Sequence, residues 1–217
     1  MNRGTKILAG TFTVLYLAFL GWYGGLGAPL TPAERDAIFA RIDAAAAKEP
    51  LRDGKLRGEL QRIAEHDDGN EFFMLNLIRY RDKAAYPAGY AFGDDPHEAD
   101  ARYNKAIAPY LIRHAAHPIF LGDVAGRFID DAGDTEWQRI AIVRYRSRRD
   151  MLEMVAELAG HDVAVHKWAS IEKTQVFPTN ILFSLVFVRG LVAALFAVIG
   201  FALHFVLRGA AWYRGNA

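Results

Sequence analysis

The sequence predicts an α+β domain of βαββαβ order carried between two membrane-spanning helices. Three observations predict it. A long apolar run lies at each end of the chain. Between the runs, short β-rich stretches alternate with amphipathic helical ones. All 25 acidic residues fall between Glu34 and Glu172, so the middle carries the charge while the ends are apolar and basic.

The first apolar run, Ile7 to Leu26, has no charge and about the 20 residues that cross a bilayer. Trp22 and Tyr23 stand near its far end, where amphipathic rings favour the headgroup layer. An uncleaved anchor is expected rather than a signal peptide. The run is long, and Pro29 follows Gly-Leu-Gly-Ala, a poor setting for cleavage. The second run, Ile181 to Leu207, is interrupted by Arg189 and His204 alone. Both lie toward the ends of the span, and Arg189 is expected to reach the interface. Trp212 and Tyr213 would form the inner belt. Arg3 and Lys6 precede the first run, and Arg208 and Arg214 follow the second. The positive-inside rule then puts both termini in the cytoplasm and the central domain in the periplasm of a bacterial inner membrane. Gly21 with Gly25, and Ala193 with Ala197, have the small-residue spacing that permits close helix packing.

In the middle, Thr31-Pro32-Ala33-Glu34 is a capping box with Pro at the first helical position. It opens a helix to about Ala47 that Pro50 breaks, and a second helix runs from Leu51 to Glu65. After the turn Asp67-Asp68-Gly69-Asn70, Glu71 to Tyr80 reads as a buried strand. Asp95-Pro96-His97-Glu98 starts a helix through Tyr103, Ile107, Tyr110 and Leu111, bent at Pro109. Ile119 to Val124 is a strand, Asp130 to Asp134 a turn, and Arg139 to Tyr145 a third strand. Ser147 caps a helix that Gly160 stops. Asp162 to Glu172 reads as helix, and Thr174 to Phe177 as the last strand. The order from Glu71 is the split βαβ, or ferredoxin-like, arrangement. Four segments result: 1–28 anchor, 29–70 helical lead-in, 71–178 ferredoxin-like domain, and 179–217 second span with its tail. One sheet face packs on the helices, and the other needs a cover. A second copy is the expected cover.

Composition narrows the function classes. The middle carries 21 basic residues against its 25 acidic ones, which gives no general case for nucleic-acid binding. The absence of cysteine excludes disulfides, thiolate nucleophiles and Cys-ligated metal sites. His114 with His117, and His161 with His166, lack a recognised metal spacing, so no metal and no cofactor is expected. His166 is the histidine best placed for chemistry, on a helix with Trp168 nearby. The alternation of Arg144, Arg146, Arg148 and Arg149 with Tyr145 and Ser147 reads first as a solvated strand end and helix start, and second as an anion site.

Phe73 to Tyr80 resembles the first strand of a widespread, largely uncharacterised bacterial family of small dimeric α+β barrel proteins. Tyr103 through Ala108-Pro109-Tyr110-Leu111 resembles that family's first helix, internal Pro included. Trp137, Ile140 to Tyr145 and Arg146-Ser147-Arg148 resemble its third strand and the corner after it. Arg146 stands where Pro is usual, and Ala116-His117 where Gly-Gly is usual. The resemblance covers about Glu71 to Pro178. The wider superfamily includes cofactor-free monooxygenases, muconolactone isomerases and haem enzymes. By that resemblance, Asn76 with Arg144 or Trp168 would hold a phenolic substrate. From the residues alone, Asn76 reads first as a structural amide, since buried polar groups are paired.

Two functions follow. One is an accessory or scaffold subunit of a larger inner-membrane complex. The other is a tethered domain binding a small aromatic or apolar molecule, with monooxygenase- or isomerase-like chemistry. The expected partners are the lipid bilayer and either other membrane subunits or a homodimer mate.

Overall fold

The computed structural model describes residues 3–24, 27–46, 55–129, 136–184 and 186–215, without the side chains of 55 and 210–215. Pro50, the expected helix start at Leu51, the Asp130 to Asp134 turn, Gly25 and the Trp212 and Tyr213 side chains lie outside that description. The chain forms two compact units: residues 1–24 with 182–217, and residues 25–181.

The first unit is a pair of helices, α1 (Arg3–Tyr23) and α7 (Val188–Gly215). Both have the length and apolar composition that a membrane span requires. They meet along an aromatic seam. Phe12 and Phe196 lie 5.5 Å apart, and Tyr16 sets its edge against Phe196 at 6.4 Å. The Tyr16 hydroxyl donates to the carbonyl of Arg189 at 3.2 Å. The Arg189 guanidinium lies 5.2 Å from the Tyr23 ring, a cation–π distance.

The second unit holds α2 (Pro32–Ala46), α3 (Lys55–Glu65), β1 (Phe72–Tyr80), α4 (Pro96–Arg113), β2 (His117–Asp123), β3 (Arg139–Tyr145), α5 (Arg148–Leu158), α6 (Val163–Ser170) and β4 (Ile171–Thr179). Each start has a local cause. The capping box at α2 is reciprocal: Glu34 N–H donates to Thr31 Oγ1 at 3.3 Å, and Thr31 N–H donates to Glu34 Oε2 at 2.8 Å. Asp95 caps α4 through His97 N–H, with Pro96 in the first turn. Ser147 caps α5 through Asp150 N–H.

The four strands form one antiparallel sheet in the order β2-β3-β1-β4, as two interlocked split βαβ units require. Register fixes what each face carries. Phe72, Met74, Asn76, Ile78 and Tyr80 point to the helix side, since alternate residues share a face. There Phe72 joins Met151 and Leu152 of α5 and Ile38, Phe39, Ile42, Leu60 and Ala64 of α2 and α3 in one buried cluster. The lead-in helices therefore share a core with the sheet. Phe72 is wholly buried and stacks on Tyr145 at 5.4 Å, so Phe72→Ala should cost about 3–5 kcal/mol.

The opposite face is apolar. Phe120, Ile142, Leu75 and Phe177 form a row across all four strands, one residue from each. Phe73, Leu77 and Ile140 extend it, and the Phe120 ring lies over Gly122, 3.1 Å from where a Cβ would stand. Phe120 and Phe177 are 52% and 44% exposed.

The resemblance to the dimeric α+β barrel family is corrected at this point. The sheet is open. A barrel requires tilted, staggered strands that close on themselves, whereas these four strands leave β2 and β4 as separate edges.

Candidate functional site

The side chains with the most unusual surroundings meet where the 81–95 loop crosses α4 and α6. Fifteen residues without helix or strand are rare inside a domain and are often functional. This loop is tied down along its length. Arg81 N–H donates to Ser170 O and Ala85 N–H to Ala169 O, both at 2.9 Å, while Ala84 N–H donates to Asp94 O at 2.7 Å. Lys83 pairs with Asp94 at 2.8 Å, closing the loop on itself.

The loop delivers Tyr86, Tyr90 and Phe92 to His166 of α6. The Tyr86 hydroxyl and His166 Nδ1 are 2.9 Å apart. Phe92 sets its ring edge-on to His166 at 5.0 Å and lies 5.0 Å from Tyr86. Arg102 of α4 places its guanidinium 5.0 Å from the Phe92 ring, and its Nη2 donates to Glu98 at 2.8 Å, one helical turn back. Tyr86 and Glu98 both favour the charged form of Arg102. Its Nη1 is nevertheless buried without a well-formed hydrogen bond among the described residues. Burial and the nearby Arg102 charge hold the His166 pKa below its ordinary value, against a smaller opposite pull from Asp162. At neutral pH the imidazole is therefore uncharged. With Nδ1 engaged by Tyr86, Nε2 remains as a hydrogen-bonding position facing no protein partner among the described residues.

A second polar cluster occupies the sheet-facing side of α4. Asp100 is nearly buried and accepts from Tyr80 Oη at 3.0 Å, Asn104 Nδ2 at 3.1 Å and Arg139 Nη1 at 3.2 Å. Arg139 Nε reaches Asp123 at 2.8 Å, and the Tyr80 ring lies 4.7 Å from His97. Burial, then the Asp100 charge, pushes the Tyr80 phenol well above its usual range. Three donors on one carboxylate oxygen make this a satisfied network that joins α4 to the sheet.

The four residues singled out from the sequence stand apart. Asn76 is on the helix side, and its Nδ2 donates to Met74 O at 2.9 Å and Ala141 O at 3.3 Å, as a structural amide does. Arg144 is opposite Phe73 in the register and buried at 1% exposure. It donates to Glu71 at 2.7 and 3.0 Å and to Ala115 O at 2.9 Å. Trp168 is two residues from His166, and side chains at that spacing do not face each other on a helix. Its carbonyl accepts from Arg81 Nε at 3.4 Å, and Lys167 Nζ lies 5.1 Å from its ring. His166 alone sits in the loop cluster. Tyr86, Phe92 and Arg102 went unnoticed in the sequence. The signal that points to them is the loop's length together with its aromatic spacing.

The arginine run after β3 is paired throughout. Arg146 bonds Asp150, Arg148 bonds Asp68 at 2.8 Å, and Arg149 bonds Glu34 at 2.5 Å. The Arg149 bond, followed by those from Thr31, lowers the Glu34 pKa to about 2.

Among known proteins, two solved structures share this fold. One is RPA0582, a protein of unknown function from Rhodopseudomonas palustris, and the other is methylated RPA0582 protein. Each aligns with a TM-score of 0.53 and 23% identity, over 63% of this chain and 97% and 96% of theirs respectively. At that identity the likeness speaks for the α+β fold alone. No family model matches the chain, and no curated protein does.

Proposed function

We propose that this chain is a membrane-anchored accessory subunit of a larger inner-membrane assembly, holding its ferredoxin-like unit in the periplasm. One observation carries the reading: the apolar row Phe120–Ile142–Leu75–Phe177, with Phe73, Leu77 and Ile140 beside it, on the sheet face away from the helices. Seven apolar side chains on one face form the kind of patch that marks a protein interface. The apolar helices at both ends, each long enough to cross a bilayer, and the basic residues outside them support that membrane placement and orientation. The test is the mass and composition of the assembly extracted from native membranes in mild detergent. The reading expects stoichiometric foreign subunits, lost when Leu75 and Phe177 are both changed to Glu. A chain that stays alone under those conditions overturns it.

A second reading rests on the loop cluster. His166, the half-exposed Phe92 and the Arg102 guanidinium beside Tyr86 offer one hydrogen bond, one ring and one cationic donor to a small aromatic ligand. A small molecule travelling with the extracted protein, and released by Arg102→Leu, would favour it.

A further inference from the structure

The seam between α1 and α7 leaves an open groove of about 440 Å³. That volume falls within the roughly 300–1,000 Å³ of small-molecule sites. Leu8, Ala9, Phe12, Ala197, Gly200 and Phe201 line its middle, and beyond them Thr13 and Tyr16 add hydroxyls, that of Tyr16 donated to the carbonyl of Arg189. The small residues keep the floor low: a Cβ added at Gly200 would already touch the Phe12 ring at 3.5 Å.

One end differs from the rest. There Thr5 Oγ1 and His204 Nδ1 lie 3.0 Å apart across the two helices. Lys6 follows Thr5 on α1, and Arg208 stands four residues, about one turn, beyond His204 on the same side of α7. Both cations are exposed, and neither helix contains an acidic residue. The groove is therefore largely apolar, with the Thr5–His204 pair at one end and Lys6 and Arg208 on the adjoining turns of the two helices. An occupant that matches has a long apolar part and an anionic head. A transmembrane helix from another protein would match the apolar length but brings no anion to the charged mouth.

We infer that the groove binds an anionic phospholipid. One acyl chain lies over Phe12, Ala197 and Gly200, and the phosphate sits at Thr5 and His204 between Lys6 and Arg208. The inference rests on reading α1 and α7 as membrane spans.

The test uses the full chain reconstituted in nanodiscs of mixed phosphatidylcholine and phosphatidylglycerol, then released into mild detergent for native mass spectrometry. Wild type should retain phosphatidylglycerol over phosphatidylcholine by a factor on the order of ten, the size that two basic side chains at a membrane surface give. Lys6→Gln with Arg208→Gln should abolish the preference while leaving lipid retention intact. Ala197→Phe, which fills the groove, should reduce retention of both lipids, and Gly200→Leu provides the same block at a second position. Equal retention of the two lipids by wild type overturns the inference, as does undiminished retention in both groove-filling variants. Alkaline carbonate extraction of the wild-type chain separates this from failure of the spans. A chain washed off the membrane was never inserted, whereas one that stays inserted without lipid preference refutes the lipid site alone.

Discussion

Arg144 is a guanidinium at 1% exposure, held by Glu71 through Nε and Nη2 and by Ala115 O through Nη1. Glu71 is about a third exposed, so the two partners are not equivalent. Removing the carboxylate strands a buried charge, and breaking a buried pair in that way costs about 3–5 kcal/mol. The partial exposure of Glu71 puts Glu71→Ala near the lower end, at about 3 kcal/mol. Removing the arginine instead leaves Glu71 to water and deprives one carbonyl of a donor, so Arg144→Met should cost only about 1–2 kcal/mol. The double variant should cost no more than Arg144→Met by itself, because the stranded charge is gone. The single costs then fail to add by about 3 kcal/mol. Urea titration of the full chain in mild detergent, followed by near-ultraviolet circular dichroism, reads these differences as midpoint shifts at constant slope. Glu71→Ala costing no more than Arg144→Met, or single costs that sum in the double variant, would refute the reasoning.

Three further outcomes are expected. His166 has a depressed pKa, so the unfolded chain binds its proton more readily; the contribution is present above the ordinary histidine value of 6.5 and is lost as pH falls below it. Protection of residues 81–95 against hydrogen exchange, taken relative to the intrinsic rate at each pH, should fall in acid, and His166→Phe should remove that fall. Glu34 is lowered to about 2 by Arg149 and Thr31, so its bond to Arg149 contributes above pH 4.5 and is lost on acidification toward 2, which an acid titration comparing wild type with Glu34→Gln detects. Two backbone positions should respond in opposite senses in thermal unfolding. Gly69 (φ +74°) would drive a Cβ to 2.0 Å from Gly27 O, so Gly69→Ala destabilises by at least about 1–3 kcal/mol, whereas Ala115 (φ 50°) sits in a left-handed conformation that Ala115→Gly relieves by up to about 1 kcal/mol.

Local chemistry made much of the fold legible. The alternating run Arg139 to Tyr145 is a strand over those same residues, and the α2 box, the Asp95 cap and the Ser147 cap form as their spacing implies. Where the reading slipped, tertiary pairing overrode local preference. Ile171 and Glu172 read as the end of a helix, yet they belong to β4, where Ile171 pairs with Tyr80 and Glu172 meets Arg79 at 2.8 Å. The site was far less legible. Tyr86 and His166 are 80 residues apart, and no periodicity links a loop tyrosine to a helical histidine. Asn76 was conspicuous as a polar residue in an apolar strand, but its meaning depended on which carbonyls lay within reach, and those are Met74 and Ala141. The arginine run read first as a solvated strand end and helix start and second as an anion site, and its guanidinium groups instead pair with Asp68, Asp150 and Glu34, which lie far away in the sequence or one turn on.

Those arginines explain how a folded unit can be inserted in the chain between two apolar helices. Such an insertion needs its first and last residues close together, or the helices on either side cannot remain paired. In the 25–181 unit, Arg149 donates to the carbonyls of Ala28 and Pro29, while its neighbour Arg148 bonds both Asp68 and the Asn180 side chain. Leu30 N–H reaches Asp67 at 2.7 Å, and Gly69 passes so near Gly27 that no side chain fits at Gly69. The start and end of the unit are thus fastened to the first turn of one helix, α5. In the helix pair, the end of α1 and the start of α7 are likewise joined, by Arg189 on Tyr23 and by Tyr16 on the Arg189 carbonyl. Each unit brings its own two ends together. On this account Arg146 belongs to the same device. With Asp150 and Ser147 it braces the α5 start, and burial of Asp150 is outweighed by those two bonds, which hold its pKa down and keep it charged.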